Sequence, residues 1–251
     1  MGAQYRARPT MLAGMPASPT AAFASWLDPW LARACALCEA RLHAQGAGLC
    51  RHCRLALPGG SRARCARCGQ GLATAGDACP ACGPAGFAFD AAIVLADYAA
   101  PLDRLITALK FHGDMALADA LGRELARALR RLARPPELLV PVPLSHARLR
   151  ERGYDQAARI AGALGRAAGI PVRARLRRVR ATLAQSGLPR AARLANLRGA
   201  FAVEPRGAPL PEHVALVDDV MTTGATLDAA ARALRAAGAV HLSVVVAART
   251  P

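Results

Sequence analysis

Two groups of residues in this 251-residue chain could do chemistry. The first is an acidic pair, Asp218 and Asp219, inside VALVDDVMTTGATL (214–227). Adjacent like charges repel each other, so a need outside folding is the first suspicion. The second is a set of eight cysteines, which all lie between Cys35 and Cys82. They form four CxxC pairs, Cys35/Cys38, Cys50/Cys53, Cys65/Cys68 and Cys79/Cys82. Four redox motifs in so short a stretch make little sense. A CxxC knuckle instead puts two thiolates on one side of a tight turn, and two knuckles complete a tetrahedral sulfur site. The spacing predicts two structural zinc ions and, with them, a reducing, cytoplasmic compartment.

The acidic pair needs a strand before it and a helix after it. VALV (214–217) reads as a buried strand, and LDAAARALRAAG (227–238) as a helix ending at Gly238. In a parallel α/β sheet ligands bind beyond the carboxyl ends of strands, where Asp218 and Asp219 would sit. The loop from Thr222 through Thr223, Gly224 and Ala225 to Thr226 then runs into a helix start. Its backbone N–H groups, threonine hydroxyls and the helix dipole converge on one point. That is an anion nest sized for a monophosphate, beside two carboxylates that can accept from a diol. Together they describe a sugar-phosphate site. A Walker loop is the rival, but GxxxxGK[ST] is absent. The bland alternative is a helix capped by its threonines beside a solvated acid pair.

Other elements follow in alternation. AFDAAIVLADY (88–98), ELLVPVPL (137–144) and VHLSVVVAA (240–248) read as strands. LDRLITALKF (102–111), 116–133 and 154–169 read as helices. The pattern predicts an α/β fold with a mostly parallel sheet flanked by helices, over residues 86–251. Residues 33–85 form the double zinc ribbon, with first and second pairs together and third and fourth together, or interleaved. The segment shows little apolar periodicity between Gly-punctuated turns, so metal must supply its folding energy. Residues 1–32 read as a disordered leader, and 173–212 as an excursion over the sheet's edge or its active end. No apolar run is long enough to span a bilayer. The net charge of +16 favours an anionic partner, although an Ala- and Arg-saturated composition is also what a GC-rich genome writes.

VALVDDVMTTGAT resembles the fingerprint of type I phosphoribosyltransferases. With four CxxC pairs ahead of it, LKFHGD (109–114), PVPL and RLRERGYDQA (141–157), and TLAQSGLPRAARLANLRGAF (182–201), the chain is identified as a member of the competence-related ComF family. Asp155 stands where asparagine is more usual. The resemblance implies that Asp218 and Asp219 hold the ribose hydroxyls of phosphoribosyl pyrophosphate, and that Thr222–Thr226 hold its 5′-phosphate. It implies Mg²⁺ on the pyrophosphate, and an oxocarbenium-like transition state that needs no protein nucleophile. Arg148, Arg150 and Arg152, just past a strand, suit the pyrophosphate. Lys110, the sole lysine, is a candidate phosphate contact. The second half of 173–212 corresponds to a mobile loop that closes over substrate. Single-stranded DNA and the DNA-uptake machinery are the implied partners. Two functions stay open: a transferase acting on a base or small amine, including in nucleotide salvage, and a DNA-binding factor without turnover. VRARLRRVR (172–180) offers charge with no aromatic interleaved, unlike most single-strand binders.

Overall fold

The computed structural model describes residues 33–42, 48–60, 62–76, 79–82, 86–112, 115–130, 132–180, 197, 199–204 and 208–251. The leader at 1–32 and residues 181–196, with Gln185, Arg193 and Asn196, lie outside the described residues.

The chain opens with a two-stranded antiparallel pair, β1 (Arg33–Ala34) and β2 (Arg41–Leu42), and a short helix α1 (Arg51–Leu55). Then come β3 (Ala91–Asp97), α2 (Leu102–His112), α3 (Met115–Leu129) and β4 (Leu138–Pro141). Helices α4 (His146–Arg152) and α5 (Gln156–Ala168) lead to two short antiparallel strands, β5 (Leu176–Arg178) and β6 (Phe201–Val203). Strand β7 (His213–Met221), helix α6 (Ala225–Ala236) and strand β8 (His241–Arg249) complete the order. The main sheet runs β3-β8-β7-β4, and every neighbouring pair is parallel.

Both faces of this sheet are covered, which is why its strands read as continuous apolar runs. Side chains alternate along a strand. Ala215, Val217, Val245 and Ala247 therefore join α2, α3 and α5 in one core, and Val214, Leu216, Val244 and Val246 join α6 and Phe201 in the other. Two expectations need correction. The cysteine segment is not bound by metal alone, because Cys35, Leu49, Cys53 and Leu57 belong to the first core and Cys68 to the second. Strand β7 does not stop before the acids. Pairing with β8 continues as far as Met221 opposite Arg249, while β4 ends at Pro141 opposite Val217. The arginines after β4 lie on α4, whose start Ser145 caps by accepting from the Arg148 N–H at 3.3 Å.

Candidate functional site

Since β7 outruns β4, Asp218 and Asp219 stand at the carboxyl end of an inner strand with no strand beside them on one flank. The period of the strand sends them to opposite faces. Asp219 follows Ala215 and Val217 toward α2, where it meets Lys110, with Nζ 3.1 Å from Oδ2. The lone lysine is thus brought to the acid pair. Asp218 follows Val214 and Leu216 toward β5, on the side of Arg178. Each carboxylate also accepts from the next backbone N–H: Asp219 N to Asp218 at 2.8 Å, and Val220 N to Asp219 at 2.6 Å. Burial pushes the Asp218 carboxyl well above its ordinary range, and the charge of Asp219 adds to that. Burial and nearby Arg148 lower Arg178, which Asp218 partly opposes. Asp218, Arg178 and Arg148 are therefore electrostatic neighbours.

After Met221 the chain turns through Thr222 and Thr223 to Gly224, which sits at φ 79° in the left-handed region as the N-cap of α6. No side chain caps that helix start, although the Ala225 N–H reaches Thr223 Oγ1 at 3.4 Å. Ala225 is buried and Thr226 half-buried. Arg249, buried at the end of β8, steadies the loop from below. Its guanidinium donates to the carbonyls of Met221 at 3.2 Å, of Thr222, and of Thr250 at 2.9 Å. A cleft of about 420 Å³ opens between Thr222, Thr223 and Arg249 on one side and Gln70 and Ala81 of the cysteine segment on the other.

The arginines of α4 divide. Residues four apart share a helix face and residues two apart do not, so Arg148 and Arg152 point together and Arg150 points away. Arg152 lies 5.7 Å over the Phe111 ring and donates to Gln156 at 3.0 Å. Asp155 accepts with both carboxylate oxygens, where an asparagine would have only one acceptor. One oxygen caps α5 from the Ala158 N–H at 2.9 Å, and the other takes the Leu144 N–H at 3.1 Å, clamping the turn after β4. Tyr154 donates to the Leu109 carbonyl, tying this turn to the helix that carries Lys110. Sequence reasoning missed Arg249 and placed Arg178 only within the charged run 172–180. The signal for Arg249 was a charge closing an apolar strand; Arg178 was hidden among identical neighbours.

A larger hollow, about 560 Å³, lies at the opposite, amino end of the sheet between Asp90, Glu137, His213 and His241. Its polar groups are paired: His213 shares a hydrogen bond with Ser243 at 3.0 Å, and Arg235 chelates Asp90 at 2.6 and 2.7 Å. Burial and then His241 lower His213, keeping it neutral. Parallel sheets bind ligands at the other end.

All eight cysteines are free thiols and gather into two clusters, Cys35/Cys38/Cys50/Cys53 and Cys65/Cys68/Cys79/Cys82. Successive knuckles pair, so the interleaved alternative falls. A tetrahedron of zinc–sulfur bonds places its sulfurs about 3.8 Å apart. Cys38 and Cys50 are 3.8 Å apart, Cys65 and Cys82 3.7 Å, and Cys68 and Cys79 3.4 Å. The donor sets fit structural zinc. Burial raises Cys35, but the N–H groups of Cys50, Leu37 and Cys38 outweigh it and bring the thiol to about 6. Cys79 falls to about 7 against its burial, through Cys68 and the N–H groups of Ala81 and Cys82. Burial lifts Cys68 to about 11.

No protein-family model matches the chain. It is 34% identical over 217 residues to Competence protein F of Haemophilus influenzae, covering 84% of this chain and 94% of that one. It is 33% identical over 226 residues to DNA utilization protein YhgH of Escherichia coli K12, covering 81% and 97%. The protein of that name in Salmonella typhi is 32% identical over the same shares. Among the described residues, no helix is long and apolar enough to cross a membrane.

Proposed function

We propose that this chain, which belongs to the ComF family, binds phosphoribosyl pyrophosphate at the carboxyl end of its sheet and serves DNA utilisation during competence. The relatives' names carry the DNA half of this reading. One observation carries the ligand half: an acid pair at the end of an inner parallel strand runs straight into a glycine-turned loop and a helix start that no side chain caps. Backbone N–H groups from Thr222 to Thr226 take the 5′-phosphate, aided by the helix dipole. Asp218 and Asp219 accept the ribose hydroxyls from their two sides of the strand. Arg148 and Arg178 supply the positive flank for the pyrophosphate, and Lys110 holds Asp219 in place or turns to a phosphate oxygen.

Mg²⁺, a hard cation suited to carboxylates and phosphates, neutralises the pyrophosphate when bound. The transfer itself leaves positive charge on the ribose as the bond to pyrophosphate breaks. The carboxylates oppose that charge in place, so catalysis rests on electrostatics and positioning. Zinc in each cysteine cluster completes the fold.

The test is calorimetric titration of phosphoribosyl pyrophosphate with Mg²⁺. Asp218→Asn with Asp219→Asn removes two charge-assisted acceptors worth about 1.5–3 kcal/mol each. Affinity therefore falls on the order of a hundredfold or more. No binding by the wild type, or equal binding by the double variant, refutes the reading. Stability moves the other way for Asp218→Asn alone. A carboxyl whose folded pKa lies above its unfolded value loses stability as pH rises through that interval. The variant therefore melts above wild type at neutral pH, and the gap narrows as pH falls toward the unfolded carboxyl range.

A second reading, a single-strand DNA-binding factor without turnover, draws on the exposed Arg173 and Arg177. Oligonucleotide binding that falls with salt by about 0.7 log units per phosphate neutralised, and that phosphoribosyl pyrophosphate does not displace, would favour it.

A further inference from the structure

The second cysteine cluster sits against the phosphate loop, and a short segment joins the two. Its knuckle, Cys65-Ala66-Arg67-Cys68, lies along the edge of the sheet. The Ala92 N–H of β3 donates to the Ala66 carbonyl at 3.0 Å. Gly69 packs so closely that a Cβ there would lie 2.2 Å from Val94. Arg67, a spacer and not a ligand, reaches out and donates to the Phe87 carbonyl at 2.8 Å. Its guanidinium covers Gly86. Phe87 stacks on Phe89 with ring centroids 4.8 Å apart. Its ring also lies under Gly224, where an added Cβ would stand 2.8 Å from it. From the far side, α6 straps the same segment: Asp228 accepts from the Ala88 N–H at 2.7 Å, and Arg235 donates to the Ala88 carbonyl at 3.1 Å.

We propose that the second Cys₄ module is a positioning element for the phosphate loop. Arg67 holds Phe87 as a wedge beneath Gly224, so whatever orders the four thiolates also orders the loop that takes the 5′-phosphate. The role assigned to that loop rests on the phosphoribosyl reading; the coupling does not. The wedge explains why Gly224 is glycine twice over, by its backbone angle and by the ring beneath it. It also explains why a module with no catalytic group contributes Gln70 and Ala81 to the wall of the cleft.

The experiment uses the full chain. Hydrogen exchange is compared in wild type, Arg67→Ala and Arg67→Lys, reading the amides of 222–226 against those of Met115–Leu129 on the other face. Arg67→Ala speeds exchange in the loop and leaves α3 unchanged, and Arg67→Lys, which keeps one donor, recovers part of the protection. Zinc content stays as in wild type. If the ordered loop falls to a tenth of its population, phosphoribosyl pyrophosphate binding weakens about tenfold, since apparent affinity scales with the competent fraction. Unchanged loop exchange in Arg67→Ala, or faster exchange throughout the chain, overturns the coupling. Failure of the wild type to bind phosphoribosyl pyrophosphate overturns the proposed function instead, and the exchange arm still decides the coupling.

Discussion

The two cysteine clusters share their ligand chemistry and their local fold but not their seats. In both, the first knuckle closes with the same pair of hydrogen bonds, Cys35 N to Ala40 O and Glu39 N to Cys35 O in one, Cys65 N to Gln70 O and Gly69 N to Cys65 O in the other. Each is moored by one buried carboxylate that gathers arginines. Glu124 of α3 takes Arg54 at 2.7 Å, Arg127, and the Leu49 N–H at 3.5 Å. Asp97, at the end of β3, takes Arg64 at 2.8 Å and Arg62 at 3.3 Å. The first cluster thereby stands on the helical face, in one core with Leu102 and Leu121. The second stands on the sheet edge, in the other core with Phe87 and Ala225. A duplicated module acquires a different consequence from what it leans on, and only the second leans on the candidate site.

The largest effect that can break this comparison is loss of a metal. Binding free energies of structural zinc, about 10–16 kcal/mol in small peptides, match or exceed the whole stability of a domain, about 5–15 kcal/mol. Changing Cys35 and Cys53 to Ser, or Cys68 and Cys79 to Ser, each lowers elemental zinc from two equivalents per chain to one. The first change strips exchange protection from α2 and α3, and the second from residues 222–226. Identical patterns in the two variants would mean that the seats carry no information.

Next in size are the moorings. Removing one partner from a buried ion pair strands the rest. Glu124→Ala costs about 3 kcal/mol and Asp97→Ala about 2 kcal/mol, scaled from charge-assisted hydrogen bonds. The order follows from burial, with the Glu124 side chain 1% exposed and that of Asp97 9%. Urea unfolding checks both. Costs under about 0.5 kcal/mol would class these pairs with ordinary surface bridges and dissolve the mooring argument.

The sequence made the ligands legible and left their supports hidden, for a physical reason. CxxC spacing is local, so four pairs were readable and their pairing alone was not. The DD-loop-helix run is local too, and it located Asp218, Asp219 and Gly224. Contacts across the chain were invisible. Nothing near Glu124 or Asp97 in sequence marks them as anchors, because Arg54 lies 70 residues from one and Arg62 35 from the other. The reach of β7 past the acids depends on β8 beside it. Helix α4 was not assigned from the sequence, although Ser145 carries its cap. Lys110 was flagged only for being the one lysine, and its partner Asp219 emerged from packing.

The smallest effects sharpen the comparison at single residues. The fifth position of each first knuckle needs a left-handed backbone, φ 59° at Glu39 and 69° at Gly69. At Gly69 a side chain meets two obstacles, the angle and Val94. Gly69→Ala therefore costs about 2–5 kcal/mol, adding left-handed strain of about 1–2 kcal/mol to overpacking of about 1–3 kcal/mol. Trimming Val94 to Ala in the same chain recovers only the overpacking share. Glu39 stands exposed with the angle alone against it. Glu39→Gly releases that strain but gives the unfolded chain more freedom, which takes back about 0.5–1 kcal/mol. The net is a gain of about 0.5 kcal/mol, visible as a small rise in the urea midpoint at unchanged slope. A loss there would show that the Glu39 side chain holds the first module in place, and the two knuckles would then differ in their turns as well as in their seats.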